Sequence, residues 1–142
     1  MKRYFKILSI CIILGGIIAF LFYRDINNEV RAVVKKEEIV SLFQVGVFKN
    51  KENALKFAKS FNTFKVIESD NYYRVIIAVC FSDNVALKLE STFKDEGISY
   101  YIKEYRVSKD VVNSIKEFES VILKSNKKEV INSVINSMLK LI

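Results

Sequence analysis

The sequence predicts an α+β domain in which a four-stranded antiparallel sheet carries two helices on one face. Two segments, 43–58 and 72–89, share one pattern: a strand-like apolar run, a short polar turn and a helix containing Ala and Leu. Between them, Asp70-Asn71 has the composition of a hairpin turn. Because one strand-helix unit cannot bury its own apolar face, two related halves are expected to complete one core.

The first half begins with a strand over residues 39–48, where apolar and polar side chains partly alternate. Asn50 is placed to cap the following helix. The apolar face predicted for this helix comprises Ala54, Leu55, Phe57, Ala58 and Phe61. A short strand over residues 64–68 then leads to the turn.

The second half begins with a strand over residues 72–80, which is rich in aromatic and β-branched residues and suits the centre of a sheet. Ser82 or Asp83 caps the next helix. Its apolar face comprises Val85, Ala86, Leu89 and Phe93. Gly97 stands where a C-terminal helix cap belongs, and residues 98–107 form the fourth strand. The resulting order, strand-helix-strand-strand-helix-strand, is ferredoxin-like.

Alternation along the strands predicts which side chains face away from the helices. In the third strand the open face takes Tyr72, Arg74 and Ile76, because burying an arginine would be costly. The inward side chains of the first strand are predicted to be Phe43, Val45 and Val47, with Gln44 outward. In the fourth strand alternation leaves two sets open, either Tyr100, Ile102 and Glu104 or Tyr101, Lys103 and Tyr105.

An uncharged apolar run occupies residues 7–23, and with Tyr4 it is long enough for a helix across about 30 Å of hydrocarbon. We interpret residues 1–24 as a short cytoplasmic N-terminus and an uncleaved transmembrane helix. The alternative is a cleaved signal peptide, although no A-x-A cleavage site follows. Since short basic N-termini tend to stay in the cytoplasm, the stalk (25–38), the domain (39–107) and an extension (108–142) are placed outside it.

The composition limits the chemistry that this chain can perform. It contains no histidine, so the commonest general base and the commonest transition-metal ligand are both missing. Cys11 and Cys80 support no disulfide framework. The net charge of +7 owes three charges to the N-terminus, and the remainder falls short of a nucleic-acid-binding signature. We therefore expect no enzymatic activity, no metal or cofactor and no nucleic-acid partner.

The segment FQVGVFKNKENA resembles the opening of the SPOR (sporulation-related repeat) domain, whose first strand typically reads V-Q-V-G-x-F before a helix. The matching residues are Gln44, Val45, Gly46, Phe48 and Ala54. YYRVIIAV, followed by a helix and a glycine, is similar to the second repeat, although AVCF replaces the family's Gly-Pro-Phe-like turn. The resemblance covers about residues 40–107. It implies a non-enzymatic module that binds peptidoglycan glycan strands lacking stem peptides, at division or sporulation septa in the cell envelope.

The resemblance also implies a glycan-binding site on the open sheet face. The family's first-strand glutamine corresponds to Gln44, and the residue between its glycine and phenylalanine to Val47. The third-strand aromatic and arginine correspond to Tyr72 and Arg74, and an apolar residue of the fourth strand to Ile102. By alternation these share one face, except Val47, which stands where the strand ends. In this interpretation Tyr72 stacks on a sugar, Arg74 pairs with a carboxylate and Gln44 hydrogen-bonds a ring substituent.

The extension carries two helical apolar stripes, and Asn126 and Glu129 have capping-box spacing before the second. The stripes comprise Val111, Val112, Ile115, Phe118 and Ile122, then Val130, Ile131, Val134, Ile135, Met138 and Leu139. They can pack back on the domain, mediate self-association or bind a protein partner, or lie on the membrane surface. The alternative function, a scaffold subunit of a cell-envelope complex, would use these helices instead of the sheet.

Overall fold

The computed structural model describes residues 37–142, together with Gly15, Ala19 and Phe20. The predicted stalk and nearly all of the predicted transmembrane helix therefore lie outside the described residues. Within the part of the chain that the structure describes, no helix combines the length and hydrophobicity that a membrane span requires. Lys36–Ile142 forms one compact unit.

Four antiparallel strands form one sheet, with the spatial order β2-β3-β1-β4. Their bounds are Glu37–Phe48 (β1), Lys65–Ser69 (β2), Tyr72–Cys80 (β3) and Tyr101–Ser108 (β4). Helices α1 (Lys51–Ala58) and α2 (Asp83–Asp95) connect β1 to β2 and β3 to β4, and α3 (Lys109–Lys124) and α4 (Lys128–Leu139) follow. The predicted α+β class and four-stranded antiparallel sheet are confirmed.

Local sequence signals account for the ends of these elements. The side chain of Asn50 accepts hydrogen bonds from the backbone N–H groups of Glu52 (2.7 Å) and Asn53 (3.3 Å), which caps α1 as predicted. Asp70 (φ 55°) and Asn71 (φ 63°) both adopt the left-handed conformation that the tight β2–β3 hairpin needs. Gly97 (φ 68°) ends α2 in the same conformation.

Two irregularities interrupt the β1–β3 pairing, and the second reverses the alternation of β1. The register shifts between Phe43 and Gln44 and again between Gln44 and Gly46, so Val45 has no direct partner on β3. An unpaired residue of this kind moves every following side chain to the other face. Val47 therefore pairs with Arg74 and is exposed, and the prediction that it faces inward is wrong.

Gly46 takes the inward position that follows the bulge, beneath aromatic rings. A Cβ atom there would lie 2.7 Å from the ring of Phe48 and 3.1 Å from the ring of Phe57 on α1. The two rings pack with their centroids 5.2 Å apart. The glycine of the V-G-V-F stretch is thus explained by close approach of side chains.

Both C-terminal helices pack against the sheet domain and extend its core. α3 contacts β1, β4 and α2, whereas α4 contacts β3. Their buried apolar residues, which join the same cluster as Phe43 and Ile77, are Val112, Ile115, Ile122, Ile131, Ile135, Met138 and Leu139. Of the three interpretations of the stripes, packing onto the domain is the one observed.

Polar contacts fasten α3 to the junction between β3 and α2. Glu119 is buried, and its Oε1 accepts hydrogen bonds from the backbone N–H groups of Phe81 (2.6 Å) and Ser82 (3.0 Å). At the other end of α3, Lys88 Nζ donates to the carbonyl oxygens of Ile122 (2.9 Å) and Ser125 (2.7 Å). α3 is therefore attached both to the β3–α2 junction and to α2 itself.

The capping box predicted for α4 does not form. The N-cap residue of this helix is Lys127, with no side-chain hydrogen bond to the helix. Asn126 accepts a hydrogen bond from Lys88 Nζ (3.3 Å) instead, because the end of α3 lies against α2. A tertiary contact has replaced the local one.

Candidate functional site

One face of the sheet, here called the Arg74 face, collects four of the five residues proposed from the sequence. Val47 pairs with Arg74, and Gln44 pairs with Ile76, so these lie side by side on β1 and β3. Tyr72 shares their face by alternation along β3. The opposite face carries α1 and α2: it includes Phe43, whose ring packs 5.4 Å from that of Phe93 on α2.

Ile102, the fifth proposed residue, does not lie on the Arg74 face. It pairs with Phe43 and so belongs to the face that carries the helices. The expectation that it shares a face with Gln44 and Arg74 is wrong, because the face follows from the β1–β4 register and alternation alone had left it open. Tyr101 pairs with Gln44 and takes this place on β4.

Tyr101 is a candidate that sequence reasoning did not select. Its neighbour Tyr100 packs against Phe43, with ring centroids 5.1 Å apart, which turns Tyr101 to the other side. A sequence signal was present, since one of two consecutive tyrosines at the start of a strand must face outward. Only the pairing with β1 decides which.

The Arg74 face is open over only part of its area. Near the start of β1 it is closed, as Val40, Leu42 and Val107 are buried there, and Ile76 is buried at its centre. Toward the end of β1 the exposed fractions rise to 43% for Val47, 38% for Tyr72 and 67% for Tyr101. A ligand can therefore reach the half of the face that adjoins the β2–β3 hairpin.

The guanidinium group of Arg74 belongs to this open half, where Arg74 pairs with the exposed Val47. Its Nη1 donates to Gln44 Oε1 (3.2 Å), and its Nη2 meets Asp70 Oδ2 at 3.4 Å. The side chain is 19% exposed, and Nε is buried without a hydrogen-bond partner in the described part of the chain. The Nη2–Asp70 contact is exposed whereas the Nη1–Gln44 contact is partly buried, so the Nη2 end of the guanidinium is the one that faces solvent.

A second basic side chain and the carboxylate of the β2–β3 hairpin contribute to the net charge around Arg74. Lys103 lies on the same face, opposite Leu42, and lines a hollow of about 20 Å³ with Arg74. The pKa of Asp70 is lowered by a hydrogen bond from Ser69 and by the positive charges of Lys103 and Arg74. Two cations and one carboxylate leave this region net positive.

The arrangement suits recognition of an anionic ligand that also has apolar surface. Arg74 offers a directed N–H donor, and Gln44 retains a side-chain NH₂ group that makes no hydrogen bond within the described residues. Tyr72 and Tyr101 offer flat, partly exposed rings.

No family model matches this chain, and no curated protein matches it either. Among solved structures, the chain is similar to the solution structure of the peptidoglycan binding domain of the B. subtilis cell wall lytic enzyme CwlC. The sequence identity is 26% and the TM-score is 0.40. The match covers 48% of this chain and 91% of that domain.

Proposed function

We propose that the open half of the Arg74 face binds the glycan strands of bacterial peptidoglycan, and that the chain is a non-enzymatic module tethered to the outer side of the cell membrane by residues 1–24. One observation carries the proposal. A guanidinium group, oriented by Gln44, presents its Nη2 end among exposed aromatic side chains of a sheet. The likeness of FQVGVF to the SPOR opening supports the same ligand class.

The positive charge on Arg74 favours a carboxylate group on the glycan. Muramic acid residues without stem peptides carry a free lactyl carboxylate, which a guanidinium binds through charge-assisted hydrogen bonds. Such a bond contributes about 1.5–3 kcal/mol when it is shielded from water, and less where water competes. We therefore assign recognition of the carboxylate to Arg74 and of a neighbouring ring substituent to Gln44.

The two tyrosines indicate an extended ligand. Tyr101 is level with Ile76 through Gln44, and it is two strands away from β3. Strand spacings of about 4.8 Å and rises of about 3.3 Å per residue put the Cα atoms of Tyr72 and Tyr101 about 16 Å apart. One sugar ring cannot contact both, so the ligand is a glycan chain that crosses the strands diagonally.

Tethering compensates for modest affinity at a shallow site. A domain held beside the wall meets its polymer at high effective concentration, so weak contacts suffice. The scaffold alternative has less support, because most of the apolar residues that it would offer to a partner are buried in the core, as Ile115 and Ile135 show.

Co-sedimentation with purified sacculi tests this function. We expect Arg74→Ala in the full-length protein, kept in non-ionic detergent, to lower the affinity about tenfold, which corresponds to about 1.4 kcal/mol. The matched control is Arg106→Ala: this arginine is exposed and lies on the helix-bearing face, opposite Ile39. Treating the sacculi with an amidase, which removes stem peptides and frees lactyl carboxylates, should increase binding of the wild-type protein.

Equal binding by the Arg74→Ala and Arg106→Ala variants would contradict the proposed site. In cells, a fluorescent fusion should concentrate at septa and lose that enrichment with Arg74→Ala. Septal enrichment that persists in the Arg74→Ala variant would instead favour recruitment by a protein partner.

A further inference from the structure

We propose that Asp70 is a built-in competitor for the anionic ligand of the Arg74 face and so determines its specificity; this inference rests on the function proposed above. The solvent-facing Nη2 of Arg74 is already occupied, because Asp70 Oδ2 lies 3.4 Å away. The other edge of the guanidinium is closed, since Nε is buried. A ligand carboxylate would therefore approach the Nη2 atom that Asp70 already contacts.

The β2–β3 hairpin places the Asp70 carboxylate beside the Nη2 atom of Arg74. Asp70 opens the two-residue turn in the left-handed conformation, which Asp and Asn tolerate better than most residues. Ser69 Oγ donates to Oδ2 at 2.9 Å, and this is the same oxygen that contacts Arg74. Turn geometry and the Ser69 hydroxyl together hold one carboxylate oxygen toward the guanidinium.

The contact between Asp70 and Arg74 is also weak enough for a ligand to displace it. The Asp70 side chain is 75% exposed, and its single contact with Arg74 is longer than a good charge-assisted hydrogen bond. Ion pairs this exposed contribute little to stability. An incoming carboxylate that binds Arg74 through two oxygens can replace it at small cost to the fold.

This competition favours one kind of ligand. A neutral sugar cannot displace a carboxylate from a guanidinium, whereas an anionic sugar can. Every anionic ligand is nevertheless opposed by the Asp70 charge beside its own. Removing that charge should strengthen binding of anionic glycan about threefold to tenfold at low ionic strength, as expected for one like charge at short range in a solvated site.

Asp70→Asn tests the inference while keeping the hairpin. Asparagine favours the same turn conformation and can still accept a hydrogen bond from Ser69. The matched control is Glu68→Gln. It removes one exposed negative charge two residues away, on the face of the sheet that carries α1 and α2. The full-length protein in non-ionic detergent is sedimented with amidase-treated sacculi at low and at high salt.

We expect Asp70→Asn to bind threefold to tenfold more tightly than the wild type at low salt, with a smaller gain at high salt. Glu68→Gln should bind like the wild type. The gain should vanish when Asp70→Asn is combined with Arg74→Ala.

If Arg74→Ala loses affinity but Asp70→Asn binds no more tightly than the wild type, the competitor role is overturned and the proposed function stands. Weaker binding by Asp70→Asn would make Asp70 a positioning residue for Arg74. A gain of the same size in Glu68→Gln would also overturn it, by tracing the effect to overall charge. If Arg74→Ala binds like the wild type, the proposed function itself fails.

Discussion

The environment of a single residue decides its chemistry, and Cys80 illustrates this at the end of β3. Its thiol is buried, and burial raises its pKa from 9.0 to about 12, with the nearby Glu119 carboxylate adding to the increase. Because the thiolate is the reactive form, the thiol is inert at neutral pH. Cys80 therefore serves as a small core residue, in the apolar cluster that includes Val79.

We expect Cys80 to resist a thiol reagent at pH 8 in the native protein and to react fully in urea, measured in a Cys11→Ser background that leaves one thiol. The Cys80 thiol also makes the folding stability depend on pH. The folded pKa lies above the unfolded value, so the stabilisation is complete below pH 9 and is lost as the pH rises toward 12.

A Cys80→Ala variant provides the comparison for the alkaline range. Its free energy of unfolding should fall less than that of the parent as the pH rises above 9. Labelling of native Cys80 within seconds at pH 8 would show that the end of β3 opens and would contradict the buried position.

At the scale of elements, one buried carboxylate fastens α3 to the junction between β3 and α2. Glu119 satisfies the backbone N–H groups of Phe81 and Ser82 at the point where β3 gives way to α2. Lys116, one turn earlier on α3, places its ammonium group 4.1 Å from the centre of the Phe81 ring. The junction and α3 thus hold each other in place.

We expect Glu119→Ala to lower the free energy of unfolding by about 2–4 kcal/mol, because two buried N–H groups lose a charged acceptor. Glu117→Ala is the matched control, since Glu117 is exposed on the same helix and its loss should change stability by less than about 0.5 kcal/mol. Urea denaturation followed by circular dichroism measures both. Equal stabilities of the two variants would show that the Glu119 contacts contribute nothing measurable.

Over the whole molecule, the C-terminal helices belong to the core. Residues as far along the chain as Met138 and Leu139 are buried in the same cluster as Phe43 of β1. Removing 108–142 would expose core side chains of the sheet and remove their partners, at a cost of about 25 cal/mol for each Å² of apolar surface exposed. A deletion of this extension therefore cannot separate a role of the helices from a role of the sheet.

We expect residues 37–107 alone to lack a cooperative thermal transition and to bind a dye specific for exposed apolar surface. Residues 37–142 should unfold cooperatively and bind little dye, and they are the control. A cooperative transition of residues 37–107 at a similar temperature would show that the sheet and its first two helices form a complete core.

Local chemistry explains which parts of the fold could be predicted. Asn50 and Gly97 mark helix ends through caps that depend on a few neighbouring residues, and the structure confirms both. Asp70 and Asn71 mark the hairpin for the same reason. The Asn126 cap failed because α2, which is distant in the sequence, supplied a competing partner in Lys88.

The candidate site was predictable only in part. Tyr72 and Arg74 share a face because alternation holds between them on β3, and Gln44 joins that face through its pairing with Ile76. Val47 reached that face through the bulge at Val45, and Ile102 missed it through the β1–β4 register. Neither effect is visible in the alternation of a single strand, because a bulge and a register are properties of a pair of strands.

The sequence by itself determined the α+β class, the strand and helix order, the hairpin and the shared face of Tyr72 and Arg74, since each follows from the periodicity or conformational preference of adjacent residues. The tertiary structure alone decided that Tyr101, and not Ile102, lies on the Arg74 face and that Asp70 contacts the guanidinium of Arg74. It also decided that the last two helices complete the core. These depend on which distant segments meet, and contacts between distant segments follow from packing the whole chain.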